Sequence, residues 1–128
     1  MKNQTCYSLF ATLIFILLIL TQAVQAAAYC VHSDVQGVND VSDWNNAFTK
    51  LPDKLERGST YYIADGNYGS YVFDDPEDGE KYIYIKKAIE SDHGTNAGWQ
   101  SRYGDGVAVF SDTNSTVWHI KYSYWVFD

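Results

Sequence analysis

Basic residues are scarce in this chain and cysteine is almost absent. Nine Lys and Arg stand against sixteen Asp and Glu, giving a formal charge of -7 over 128 residues. Nucleic-acid binding needs clustered Lys and Arg to neutralise phosphates, and the lack of any such cluster argues against it. The two cysteines are Cys6 and Cys30. Cys6 falls in a leader-like segment, so a processed chain keeps Cys30 alone and can form no internal disulfide. Cys30 then either pairs outside this segment or stays as a buried thiol. His32, His93 and His119 show no paired ligand spacing and no nucleophile motif around them. The last residues, Tyr122-Ser123-Tyr124-Trp125-Val126-Phe127-Asp128, are strand-like, with no turn, cap or charged tail behind them. The expectation is a strand of a longer protein, needing a neighbour and a cover.

The first residues point to export. Lys2 supplies a positive start, Leu9 to Leu20 is strongly apolar, and small residues follow in Ala23-Val24-Gln25-Ala26-Ala27-Ala28. This is the layout of a secretory signal peptide over residues 1–28, with cleavage expected after Ala26 or Ala28. The alternative is an uncleaved anchor, but the strongly apolar part is shorter than the ~20 residues a membrane span needs. The bulky Tyr29 before Cys30 argues against lipid attachment. Localisation is therefore expected to be secreted, periplasmic or cell-surface, with a membrane link only through an uncleaved leader. The remaining segment, 29–128, is about 100 residues, enough for one small domain or part of one. Its aromatic content of 16% is too high for a disordered chain.

Within that segment a helix signal comes first and strands follow. Asp40 or Ser42 can cap a helix over Val38 to Leu51, Asp43 sits in its first turn, and Pro52 ends it. Trp44, Ala47, Phe48 and Leu51 fall on one apolar face of that helix. Asp53 to Arg57 can add a further turn. From Thr60 the chain changes to short β runs: Tyr61 to Ala64, Tyr71 to Phe73, Tyr82 to Ile85, Val107 to Phe110, Val117 to Ile120 and Tyr124 to Phe127. Turns or loops rich in Gly, Asp and Asn separate them. In Tyr82 to Ile85, alternation puts Ile83 and Ile85 on one face, expected inside, and the tyrosines on the other. The β-rich starts at Tyr61, Tyr82 and Val107 lie roughly 21 to 25 residues apart, loosely a solenoid period. On spacing alone a small antiparallel β-sandwich fits equally well.

Three segments favour the solenoid. Gly58-Ser59-Thr60-Tyr61-Tyr62-Ile63-Ala64-Asp65-Gly66-Asn67-Tyr68 resembles the pattern G-D-T-I-x-[IL]-x-x-G-x-Y. Tyr82-Ile83-Tyr84-Ile85-Lys86-Lys87-Ala88 fits I-x-I-[KR]-[AG]-A. Ser123-Tyr124-Trp125-Val126-Phe127-Asp128 fits S-x-Y-V-x-[IF]-D-G up to its Gly. Together they are similar to the pectate-lyase-like superfamily, nearest its alginate-lyase and chondroitin-lyase branch, over about Asp43 to Asp128. The resemblance implies a mainly β fold: the start of a right-handed parallel β-helix with an N-terminal capping helix. Two departures are Ser59 where Asp is usual and the long excursion from Glu90 to Gly106. Fold does not imply activity. In that branch a Lys and Arg pair with calcium acts from later coils. Lys86 and Lys87 match no such site, so no catalytic residue is carried over, and lysine there is expected to be a solvated strand edge.

The candidate chemistry is carbohydrate contact. Tyr82, Tyr84, Trp99 and Trp125 can stack on sugar rings, although aromatics in β-rich proteins also serve as core. Asp74, Asp75, Glu77 and Asp78, with Glu80, can gather oxygen ligands for calcium. The spacing fails the EF-hand pattern, since Pro76 takes its third position and Ile85 its twelfth. Asp92-His93-Gly94 is similar to a turn of the same β-helix branch and is expected to be structural. Asn114-Ser115-Thr116 is an N-glycosylation acceptor if the host glycosylates, and otherwise a turn. The expected function is an exported protein that binds or degrades acidic or neutral polysaccharide when complete, the alternative being a non-catalytic surface or adhesion protein. A third possibility is a small complete β-domain whose last strand pairs with a partner. Expressed alone, the segment is expected to be poorly soluble.

Overall fold

A computed structural model describes residues 26–38, 40–41, 43–113 and 116–128. Most of the leader, the capping candidate Ser42 and the glycosylation candidate Asn114 lie outside the described residues. The rest is mainly β. Its strands are β1 (Ala28–Val31), β2 (Thr60–Ile63), β3 (Gly66–Tyr68), β4 (Tyr71–Phe73), β5 (Ile83–Lys87), β6 (Ala108–Phe110), β7 (Trp118–Ile120) and β8 (Trp125–Phe127). One 3-10 turn spans Ser101–Tyr103.

Every strand ladder is parallel. β1-β2-β5-β8 form one four-stranded sheet, while β3 pairs with β6 and β4 with β7. The chain therefore visits the three sheets in the same order twice, β2-β3-β4 and then β5-β6-β7, before returning to the first sheet at β8. Parallel neighbours throughout overturn the antiparallel sandwich, which needs hairpin pairing. The run at Val107 turns out to be equivalent to Gly66–Tyr68, not to Tyr82. Trp125 is the true partner of the Tyr82 run, in register with Ile83. The Glu90 to Gly106 excursion is what lengthens that second circuit.

Alternation decides which side chains go inside. Ile83 and Ile85 are 0% and 4% exposed, whereas Tyr82 and Tyr84 are 41% and 39% exposed. The residues stacked on the isoleucines in β8, Trp125 and Phe127, also point inward and join the cluster of Val31, Tyr61, Ile63, Tyr68 and Phe73. Phe73 meets Trp118, Trp125 and Phe127 edge to face at 5.5, 5.0 and 5.0 Å. Tyr68 stacks on its register partner Phe110 at 5.2 Å. Offset and edge-on rings of this kind add about 0.5–1.5 kcal/mol per pair beyond the area they bury.

Among the described residues of 38–51 no capping helix forms. Trp44 and Ala47 are fully buried and Leu51 nearly so, so the apolar residues do find cover, but on an irregular path. Asp43 Oδ1 accepts the N–H groups of Asn45 and Asn46 at 2.8 and 3.0 Å, an Asx turn that competes with helix. Phe48 then gives its N–H to the Cys30 carbonyl and accepts from His32 N–H, bridging the free edge of β1 as a strand would. The edge is covered, by one strand-like bridge instead of a helix. Asp53 to Arg57 likewise forms bends and a turn, not a helical turn.

A second cluster packs on the outer side of the four-stranded sheet: Cys30, Trp44, Ala47, Ala64, Ala88 and Tyr103, with Val35, Tyr62 and Trp99 against it. Trp44 donates its indole N–H to the carbonyls of His93 and Thr95, both at 3.1 Å, which fixes the long excursion.

Candidate functional site

The outer face of β5 and the turn into β8 carry a tyrosine platform. Tyr82 and Tyr84 are neighbours on that face, their ring centroids 6.2 Å apart. Tyr124 joins them, its ring perpendicular to Tyr82 at 5.3 Å and 88°. Tyr124 has φ of 63°, a left-handed conformation that is uncommon for a bulky residue. Its carbonyl accepts from Ile83 N–H at 3.1 Å and from Arg57 Nη1 at 3.0 Å, so the surrounding structure holds the unusual backbone in place. Tyr122 is exposed on the same connecting turn.

Of the four aromatics proposed as sugar contacts, the platform contains two. Trp125 faces the interior against Phe73, and the Arg57 guanidinium lies 4.6 Å from its ring centroid. Its neighbour Tyr124, half-buried, faces outward against Tyr82. Alternation already implied this exchange, because a Trp125 stacked on Ile83 must send Tyr124 the other way. Trp99 sits elsewhere: His93 stacks on it at 4.1 Å and 10°, its edge contacts Trp44, and its N–H goes to Glu90 at 3.1 Å.

The acidic loop is not a ligand cluster. Asp74 pairs with Lys121 at 3.1 Å and Asp78 with Lys81 at 2.5 Å. Glu77 accepts Ser123 N–H at 3.0 Å, and Asp75 Oδ1 accepts Leu55 N–H at 3.0 Å. Asp75 is 8% exposed, and its Oδ2 is buried without a hydrogen-bond partner. The four carboxylates thus serve four separate contacts. Among the described residues no group of three or more His, Cys, Asp or Glu could hold a metal ion.

Lys86 and Lys87 are not solvated edges. Lys86 meets Asp92 at 2.6 Å and Asp128 at 3.7 Å, and Lys87 meets Asp65 at 2.7 Å. The Asp92 carboxylate raises the Lys86 pKa. Lys86 in turn lowers that of Asp92, with help from the Tyr62 hydroxyl. Asp92-His93-Gly94 makes local contacts: Asp92 bridges Ile89, and His93 contacts the Ile89 carbonyl and Asn96 Oδ1.

A polar cleft of about 710 Å³ opens where the chain leaves β1 and β2, lined by His32, Asp34, Asn45, Asp65, Arg102 and Tyr103 among others. His32 packs 4.3 Å from Tyr103 and its Nδ1 is buried without a partner. Burial lowers its pKa, opposed by the nearby carboxylate of Asp34 and assisted by the charge of Arg102. Its sequence context gave no hint of this, because Arg102 and Tyr103 arrive from a distant turn. His119 is exposed on β7, opposite Val72.

Among the described residues no helix is long and apolar enough to cross a membrane. No protein-family model, curated protein or solved structure matches the chain.

Proposed function

We propose that this chain is a stretch of right-handed parallel β-helix from an exported protein, and that its tyrosine platform binds polysaccharide. The fold half of the reading is supported by two ordered circuits of three parallel sheets, the arrangement a β-helix requires. Export is supported by the leader-like residues 1–28.

One observation carries the binding half: Tyr82 and Tyr84 are exposed side by side, and half-buried Tyr124 packs its ring against Tyr82 from a left-handed backbone. Tyrosine rings present flat apolar faces with a polar tip, which suits the C–H faces and hydroxyl rims of pyranose rings. Rings that serve packing alone do not need exposed positions such as those of Tyr82 and Tyr84.

The test is titration calorimetry of the full chain with soluble oligosaccharides, comparing wild type with Tyr82→Ala and Tyr84→Ala. Each variant is expected to weaken binding at least tenfold while keeping the wild-type circular dichroism spectrum. Unchanged affinity in both folded variants would sink the reading. A crystal structure winding β2-β3-β4 and β5-β6-β7 the opposite way would remove the fold half.

A further inference from the structure

The charges around the platform select among polysaccharides. A uronate chain presents a carboxylate on each ring, and a protein site for it needs an Arg fork or a Lys ammonium available to receive it. The cations next to platform residues in sequence, or bonded to them, all have partners. Lys81, beside Tyr82, pairs with Asp78 at 2.5 Å. Lys86, two residues after Tyr84, lies between Asp92 and Asp128. Lys121, beside Tyr122, pairs with Asp74 at 3.1 Å. Arg57 donates to the carbonyls of Pro76, Ser123, Tyr124 and Asp75 at 2.6 to 3.1 Å.

Negative charge, by contrast, is close by and in excess. Glu80 stands two residues before Tyr82, and Glu77 accepts the N–H of Ser123, next to Tyr124. The whole chain carries -7. A polyanion approaching the platform therefore meets repulsion, and each of these four cations already has a partner. Breaking one of the existing ion pairs to receive it would leave a carboxylate behind. A neutral pyranose chain loses nothing here, since ring stacking and hydroxyl hydrogen bonds need no counter-charge.

From this we infer that the platform is selective for neutral polysaccharide and rejects uronate polymers. The inference rests on the platform being the binding site, as proposed above. The measurement is calorimetry with cellohexaose and xylohexaose as neutral probes and hexagalacturonate as the anionic one, at about 20 mM and about 500 mM salt. At least one neutral probe is expected to bind with an affinity that salt leaves unchanged. Hexagalacturonate is expected to bind at least tenfold more weakly at low salt. Tyr84→Ala is expected to remove the neutral binding, with Tyr82→Ala as the second variant if the first does not fold.

The outcomes separate the two claims. Hexagalacturonate binding as tightly as the neutral probes, and lost in the Tyr variants, would overturn the charge selectivity while leaving the platform as the site. Neutral binding that survives both Tyr variants would overturn the platform itself, and so would no binding by any probe.

Discussion

Arg57 lays its guanidinium 4.6 Å from the ring centroid of Trp125 while donating to the carbonyl of Tyr124, the residue just before it. One side chain thus covers the inward tryptophan and positions the outward tyrosine. It also ties this turn to the acidic loop through Pro76 and Asp75. A lysine offers a single ammonium in place of that planar fork. Arg57→Lys is expected to lower stability by about 1–3 kcal/mol. Urea denaturation followed by tryptophan fluorescence reads the change, and an unmoved midpoint would show that the clamp is not stabilising. Because Tyr124 loses a support, sugar affinity should fall as well, although Arg57 itself touches no ligand.

Lys87 and Asp65 form the most enclosed ion pair of the described residues, with side chains 23% and 20% exposed. Burial alone would push the Asp65 carboxyl up. The Lys87 ammonium and the Gly106 N–H outweigh it, and the pKa ends below its ordinary value. A depressed carboxyl contributes stability that is complete above the unfolded value, near ~4, and is lost as pH falls through the folded value. In Lys87→Met the burial remains together with the hydrogen bonds to Gly106 and Asp105, so Asp65 loses its largest support. The variant should be about 1–3 kcal/mol less stable at pH 7. The gap should close as pH falls through the depressed folded value of Asp65, where the carboxyl becomes protonated in the wild type as well. Thermal melts across that range check it, and a gap independent of pH would refute the electrostatic assignment.

Gly94 has φ of 76°, and a Cβ there would come within 2.8 Å of two ring carbons of Tyr62. Gly79 has a similar φ of 58° but nothing within 4 Å of that position. Alanine at Gly79 should therefore cost only the left-handed strain, about 1–2 kcal/mol. Alanine at Gly94 should cost that plus the displacement of a packed ring, about 2–4 kcal/mol in all. Equal midpoints for the two variants would show that Tyr62 does not lie on the Gly94 turn.

The legible part of this fold was the part governed by local alternation. Ile83 and Ile85 went inside because a strand has only two faces, and the same rule would have exchanged Trp125 for Tyr124 had it been carried into β8. What stayed hidden depended on distant partners. Ala28 ends the expected leader and Tyr29–Val31 gave no strand signal, yet Ala28–Val31 forms a strand beside β2. Asp65-Gly66-Asn67 has turn chemistry, yet Gly66 already pairs with Ala108. The amphipathic spacing from Trp44 to Leu51 identified residues that are buried, but not their path. Helical periodicity and an irregular segment pressed on a sheet both conceal such residues, and the Asx turn at Asp43 with the bridge from Phe48 to β1 decided between them. The lysines at 86 and 87 looked solvated because their carboxylate partners come from other turns.

Cys30 offers a direct check on that irregular path. It lies in β1 at 2% exposure, its carbonyl accepting from Phe48 N–H and its thiol in the cluster with Trp44 and Ala47. Burial, with a smaller contribution from the Asp43 charge, pushes the thiol up to about 12. At pH 8 the thiolate, which is the reactive form, is then on the order of 0.01% of the population. Modification must also wait for the segment at 43–48 to open. In a Cys6→Ser background, an aromatic disulfide reagent should leave Cys30 unmodified over minutes at pH 8 and label it at once in denaturant. Ala47→Gly, which loosens the segment and removes a methyl from the cluster around the thiol, should speed the native reaction severalfold. Immediate stoichiometric labelling of the folded protein would mean that nothing covers this face of β1, and the bridge from Phe48 would have to be given up.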